Sequence, residues 1–391
     1  MEHKIGLMMS GGGARAAYQA GVLKALSEVM GHPEKSPFQL YSGTSAGAIN
    51  AAFVVQNAGN WSKGVNDLQK LWQGLRANDV YETEWLKLWK TAKPWLRMAG
   101  APIWGGSPTP PKSLLNNAPL RVFLEKNMNP EQWHQSVVNG HVEGLALTTF
   151  DYTAGVHSTF FDSKEDVEPW SRHQRTSQRA ILNIDHVMAS SALPLIFPSV
   201  PILGRQYGDG AMRQTAPLSP LIKLGATRLV VIAGSHLADG EQHSNSVNSG
   251  QISPATILGH ALASIFLDQM GADVERVERL NELVREIHKH NGKGMLGIRP
   301  VDMHVIRPSR RLDEMAAKAV VALPPAIKKV LGVLGVKDGH GGGLASYLLF
   351  EPEFVNPLME LGYEDTLRNA SELVDFVSGQ QIAHHKPIFR P

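Results

Sequence analysis

The sequence predicts an α/β protein built on a mainly parallel sheet with helices on both faces. Three observations predict it. Short apolar runs alternate with segments of helical spacing. Two of those runs end in glycine-rich turns that open directly into helices. The chain is also long and apolar enough to bury a large core, with 391 residues, 43% hydrophobic and 19% charged. That composition excludes a disordered chain. The absence of cysteine removes disulfides, thiolate metal sites and a cysteine nucleophile together. Lysine and arginine number 38 against 36 acidic residues, a formal +2, and so close a balance argues against a nucleic-acid binder.

The first apolar run, Ile5 to Met9, ends in Gly11, Gly12 and Gly13, after which Ala17, Ala20, Val22, Leu23 and Leu26 mark a helix over Ala14 to Val29. The second, Gln39 to Ser42, closes in Gly43-Thr44-Ser45-Ala46-Gly47 and leads into the helical stretch Ala48 to Gln56. Trp61 to Trp133 holds seven of the eight tryptophans, with proline and glycine breaks around Pro94 to Pro111; it reads as a helical insertion or cap ending in a loop. Further β-type runs follow at Val142 to Phe150, Thr227 to Ala233 and Met303 to Ile306, with a helical pattern over Ala255 to His290. The polar stretch Asp239 to Gly250 predicts an exposed loop. Beyond Gly341, helical spacing returns through Leu344 to Leu349, Val355 to Leu361 and Leu367 to Phe376, a C-terminal helical layer. The organisation expected is a core over 1–235, with its insertion at 61–133, and a remainder, 236–391, that completes the α/β core and packs with it as one unit.

The N-terminal apolar run is too short and polar for a signal peptide, which makes a cytoplasmic address the expectation. His186 to Gly204 is interrupted by Pro194, Pro198 and Pro201 and does not read as a spanning helix.

Chemistry concentrates at the turns. Gly43-Thr44-Ser45-Ala46-Gly47 is G-x-S-x-G between a strand and a helix, the context that presents a serine hydroxyl at a sheet edge near a helix N-terminus. An ordinary N-cap serine in a glycine-rich turn is the plainer alternative. Consecutive amides at Gly11, Gly12 and Gly13, just before Arg15, can converge on an anion. They suit either an oxyanion hole serving Ser45 or, through Gly11, Gly13 and Ala16, a dinucleotide turn. The dinucleotide reading needs an acid at the end of the second strand, and that strand runs straight into the serine turn instead. Arg15 either orients this loop, attracts an anionic head group or faces solvent.

A nucleophilic serine needs a base. Among 16 histidines, His236, His260 and His304 are candidates for a Ser-His-Asp arrangement, but Ser45 follows only the second strand, too early for an α/β-hydrolase order. Tyr207-Gly208-Asp209-Gly210-Ala211 offers a carboxylate between two glycines after a short apolar strand. An aspartate with its ordinary pKa near 4 serves as base only if burial raises its basicity; a plain Asp-Gly turn is the competing meaning. No metal constellation stands out, no cofactor is called for, and His384, His385 and Lys386 read as a solvated tail.

Taken in order, Gly11 to Arg15, Gly43 to Gly47 and Asp209 to Ala211 resemble the patatin-like phospholipase family: a glycine-rich oxyanion loop, a G-x-S-x-G serine and a D-G-[GA] aspartate. Ala189 to Pro194, with Phe197 and Pro198, is similar to the stretch preceding the aspartate in that family. The resemblance covers about Lys4 to Ala233. It implies a three-layer α/β/α fold, a Ser45–Asp209 dyad without histidine, Gly11, Gly12 and Gly13 as oxyanion hole, and Arg15, Gly43, Gly47 and Gly210 in support. The implied activity is metal-independent hydrolysis of phospholipid or other acyl esters. One departure is Ala16, where the family usually has glycine. A nucleotide- or phosphate-binding regulatory protein and a Ser-His-Asp esterase are the rival readings. Trp85, Trp89, Trp95 and Trp104, interleaved with Lys87, Lys90, Lys93 and Arg97, suit peripheral contact with anionic lipid, against packing inside a helical cap. Ala316 to Val336 is a second interfacial or acyl-pocket candidate. Oligomeric state is left open.

Overall fold

The computed structural model describes residues 3–84, 113–234, 254–265, 269–291, 299–333, 336 and 342–379. Its strands are β1 (Ile5–Met9), β2 (Leu40–Thr44), β3 (Gly144–Asp151), β4 (Val156–Ser163), β5 (Ser171–Arg172), β6 (Arg175–Arg179), β7 (Val200–Ile202), β8 (Arg205–Asp209), β9 (Arg228–Ile232) and β10 (Asp302–Ile306). They form one sheet in the order β10-β9-β1-β2-β3-β4-β6-β5, with the β7–β8 hairpin attached to β3. The five strands from β10 to β3 are all parallel, as the strand–helix alternation predicts. β4 and β8 run antiparallel to β3. The turn from β3 to β4 is too short for the crossover that a parallel neighbour requires.

Alternate residues of these strands enter two different cores. Leu7, Met9, Tyr41, Leu145, Leu147, Val230 and Ile232 pack on one face, while Met8, Leu40, Ala146, Leu229 and Val231 pack on the other. This period of two across strands buried on both faces makes the layered α/β/α arrangement. The first face is covered by α1 (Ala17–Val29), α2 (Ala46–Val55), α3 (Trp61–Gly74), α4 (Ala118–Asn127), α5 (Pro130–Val138) and α6 (Ile184–Ser190). On the second, Met270, Val274 and Val277 come from α7 (Gln269–Asn291). The C-terminal part adds α8 (Leu312–Ala319), α9 (Pro325–Val333), α10 (Gly342–Leu348), α11 (Pro352–Arg368) and α12 (Ala370–Val377) around the first core.

Several expectations need adjustment. β2 runs two residues further than the apolar run suggests, to Thr44, because β3 continues its ladder up to Thr148. The helical stretch Ala255 to His290 is two helices, Pro254–Ala263 and Gln269–Asn291. The tryptophans Trp61, Trp72 and Trp133 are at most 2% exposed and join the main core. In Ala316 to Val336, Ala316, Val320, Leu323, Ile327 and Leu331 are buried in the same core, while Val321 is exposed. The tryptophan–lysine cluster from Trp85 to Trp104, the stretch Asp239 to Gly250 and the run His384 to Lys386 lie outside the described residues. No described helix is long and apolar enough to cross a membrane.

Candidate active site

Ser45 occupies the one residue between β2 and α2, with φ 56 and ψ −130. This region of backbone space is strained for any residue with a β-carbon and costs about 1–3 kcal/mol. An N-cap serine would adopt an extended backbone and accept from the first helical turn; Ser45 makes no such side-chain bond. The plainer reading of this serine therefore fails. Its strained turn is held from outside: Ser45 N–H donates to Ser190 Oγ at 2.9 Å, and Ser190 Oγ–H donates to the Thr148 carbonyl at 2.6 Å. The flanking glycines are required by close approach. A β-carbon at Gly47 would lie 2.3 Å from the Met9 carbonyl oxygen, and one at Gly43 would lie 2.4 Å from the Gly47 oxygen.

Asp209 reaches Ser45 through β3. Thr44 pairs with Thr148 at the end of the β2–β3 ladder, and Asp209 pairs with Thr149, the next residue along. β2 and β8 therefore meet end to end on one edge of β3, one arriving with the serine and the other, running oppositely, with the aspartate. The stretch after α6 fastens both, since Asp209 N–H donates to Ala192 O at 3.0 Å and Gly210 N–H to Ser190 O at 3.3 Å. A β-carbon at Gly210 would fall 2.0 Å from Thr148 O, which explains why the aspartate is followed by glycine.

Asp209 is fully buried. Its Oδ1 accepts from Ala211 N–H at 2.9 Å, which is the ordinary Asp-turn bond, whereas Oδ2 accepts no well-formed hydrogen bond among the described residues. Burial pushes the carboxyl up to about 7, and the Ser45 hydroxyl and the Ala211 N–H pull it back from going higher. The hydroxyl is thus near enough to act on the carboxyl without being aligned for a tight bond, which is common before substrate binds.

The glycine loop lies beside Ser45. Gly12 and Gly13 head the short 3-10 turn Gly13–Ala16, where the first amides have no intrahelical acceptor; Gly11 is buried with them. Gly13 has φ +56, and a β-carbon there would sit 2.2 Å from the Tyr347 carbonyl oxygen. Arg15 is only 5% exposed. Its Nε donates to Ser346 Oγ at 2.7 Å and its guanidinium lies 4.6 Å from the centre of the Tyr347 ring. Of the three readings for this arginine, burial removes the solvent-facing one, and its contacts face α10, which backs the loop. Asn50 braces the same region, donating to Ala16 O and Gln19 Oε1 and accepting from Trp72 Nε1, while Gln19 Nε2 donates to Ser10 O.

Gly13 and Ser45 border an apolar cavity of about 30 Å³ whose other walls include Ile49, Leu75, Phe123, Leu193 and Phe350. Among the described residues no group of three His, Cys, Asp or Glu could hold a metal.

Of the three histidines nominated from sequence, His236 lies outside the described residues. His260 is exposed on the helix Pro254–Ala263. His304 sits on β10, three places from β2, or about 14 Å at 4.8 Å per strand. The sequence reading missed two residues near Asp209. Tyr152, just after β3, would be struck at 2.3 Å by a β-carbon on Gly208, and burial and the Asp209 charge raise its pKa. His157 on β4 lies against the Gly210 backbone, and burial, with Arg175, drives its pKa down to about 4, leaving it neutral. No local pattern marks either one, because only strand pairing brings them to the aspartate.

A family model described as patatin-like phospholipase matches residues 7–222, and the chain belongs to that family. The family is one of lipid acyl hydrolases. Among solved structures the chain is similar to VipD from Legionella pneumophila, at 13% identity over 97% of this chain and 74% of that one, with a TM-score of 0.36. It is similar to human GIVD cytosolic phospholipase A2 at 11% identity, spanning 96% of this chain and 60% of the human one, with a TM-score of 0.44. The type III effector ExoU of Pseudomonas aeruginosa shows 14% identity over 100% and 91%, with a TM-score of 0.27. No curated protein matches the chain.

Proposed function

We propose that Ser45 is the nucleophile and Asp209 the base of a hydrolase that cleaves fatty-acyl esters of phospholipids or related lipids. The observation that carries this reading is the end-to-end meeting of β2 and β8 on β3, which sets a strained serine beside a buried carboxylate with one oxygen unspent. The Ser45 proton passes to Asp209 as Oγ bonds to the ester carbonyl carbon. The carbonyl oxygen takes the negative charge and is held by amides of Gly11, Gly12 and Gly13 near the α2 N-terminus. The bond to the alcohol oxygen then breaks, and the alcohol leaves with the proton from Asp209, giving acyl-Ser45. Water next gives a proton to Asp209 and adds to the acyl carbon. The Ser45 oxygen departs, recovers that proton and releases the fatty acid.

The pKa of Asp209 supports this role and gives it a signature. Only the carboxylate accepts a proton, so kcat/KM is expected to rise with pH through an ionisation near 7 and level off above it. A base with the usual aspartate value would place that rise near 4. A profile flat from pH 5 to pH 9 would count against the raised pKa of Asp209.

The direct test treats the protein with a fluorophosphonate and a p-nitrophenyl ester. Labelling and turnover that disappear in Ser45→Ala support the hydrolase. Thermal stabilisation by nucleotide without labelling would favour an anion-binding protein instead, and loss of turnover in His304→Ala with Asp209→Asn active would favour a Ser-His-Asp esterase.

A further inference from the structure

Phe350 lies well beyond the stretch 7–222 matched by the family, yet it forms part of the cavity that Ser45 borders. It follows α10, the helix that backs the glycine loop, and precedes α11. Its ring lies nearly parallel to Trp72 of α3, at 6.3 Å and 15°, and edge-on to Tyr81 at 6.4 Å. Tyr81 in turn donates its hydroxyl to Leu348 O at 2.6 Å and packs against Phe197, a second wall residue, at 6.3 Å. Trp72 is fixed by its bond to Asn50 Oδ1 at 2.8 Å. The aromatic wall is therefore clamped on three sides, and Phe350 itself is 6% exposed.

The cavity left beside Ser45, about 30 Å³, takes about two water-sized groups. The free space beside Ser45 is narrow, and Phe350 is one of the walls that bound it. Protein interiors are too densely packed for a clamped ring to yield freely.

From this geometry we infer that Phe350, held against Trp72, is the stop that sets acyl-chain length in the pocket, so that the C-terminal segment determines specificity. The inference rests on the hydrolase reading above. Its substrate class is the acyl ester of that reading, and shortening Phe350 opens the slot at this wall.

The test is a series of p-nitrophenyl esters from two to twelve acyl carbons, assayed on the wild type, Phe350→Ala and Phe350→Leu after circular dichroism. Phe350→Ala is expected to raise kcat/KM for chains of eight to ten carbons relative to four by about tenfold or more, a change of the size that one or two methylenes produce in an apolar pocket. Phe350→Leu, which keeps an apolar filler, is expected to shift the optimum by a smaller step and stands in should the alanine variant misfold. Two active enzymes with the same length profile would overturn the stop while leaving the hydrolase standing. A folded wild type that neither labels with fluorophosphonate nor hydrolyses any ester would overturn both.

Discussion

Asp209→Asn is expected to lower kcat/KM by about 10³-fold or more, as is Ser45→Ala, because each removes a partner of one proton transfer. The two variants are expected to differ in stability. In the unfolded chain the Asp209 carboxyl titrates near 3.8, and in the fold near 7. Below pH 3.8 both states hold the proton, and this group takes nothing from stability. Between the two values the unfolded state ionises while the folded state resists, so stability falls as pH rises. Above 7 a deficit of up to about 4 kcal/mol persists. Asparagine carries no charge to bury, and its Oδ1 can still accept from Ala211 N–H. Asp209→Asn should therefore melt higher than wild type at pH 8 and level with it near pH 4, whereas Ser45→Ala, which removes a group that lowers the carboxyl pKa, should show no such gain at pH 8. A lower melting temperature for Asp209→Asn at pH 8 would sink the buried-carboxylate account. A gain in stability on losing activity is what a strained, functional site predicts.

The second large effect lies away from the chemistry, where α1 crosses α11. Gly21→Ala improves helix propensity by about 1 kcal/mol, so a helix-only view predicts a gain. The new β-carbon would fall 1.9 Å from the Met359 carbonyl oxygen, and across the same crossing a β-carbon at Gly362 would fall 2.2 Å from Tyr18 O. Backbone cannot yield as a flexible side chain does, and overpacking of this kind costs about 3 kcal/mol. The clash wins, and a net loss of about 2 kcal/mol is expected, measurable as a lower denaturation midpoint. The Tyr18 hydroxyl, which donates to Asp365 Oδ2 at 3.1 Å, spans the same contact, so separating the helices strains it too. Since α10 precedes α11 and meets Gly13 through Tyr347, kcat should fall along with stability. An unchanged midpoint would show that the helices separate without penalty.

Much of the fold and of the candidate site is legible in the sequence. The apolar runs gave β1, β2, β9 and β10 within a residue or two, because most of their residues are buried in the two cores that flank the sheet. The turn at Ser45 was readable because glycine at 43 and 47 is a local demand of tight backbone approach. Asp209 was found by its glycine neighbours, and its own backbone meets β3 at the spot where Gly210 must lack a side chain.

The fold class and the two glycine turns were fixed by the amino-acid sequence alone, and it pointed to Ser45 and Asp209 as the pair proposed above, since each leaves a mark within a few residues of chain. Only the tertiary structure decided what those residues meet. The pairing of β8 with β3 puts Asp209 one residue past the end of β2, buries it and raises its pKa. The return of the chain through α10 brings Ser346 and Tyr347 to Arg15 and Phe350 to the pocket. Partners joined across 150 to 330 residues leave no periodicity in the chain, because their contact arises from packing two surfaces that form separately.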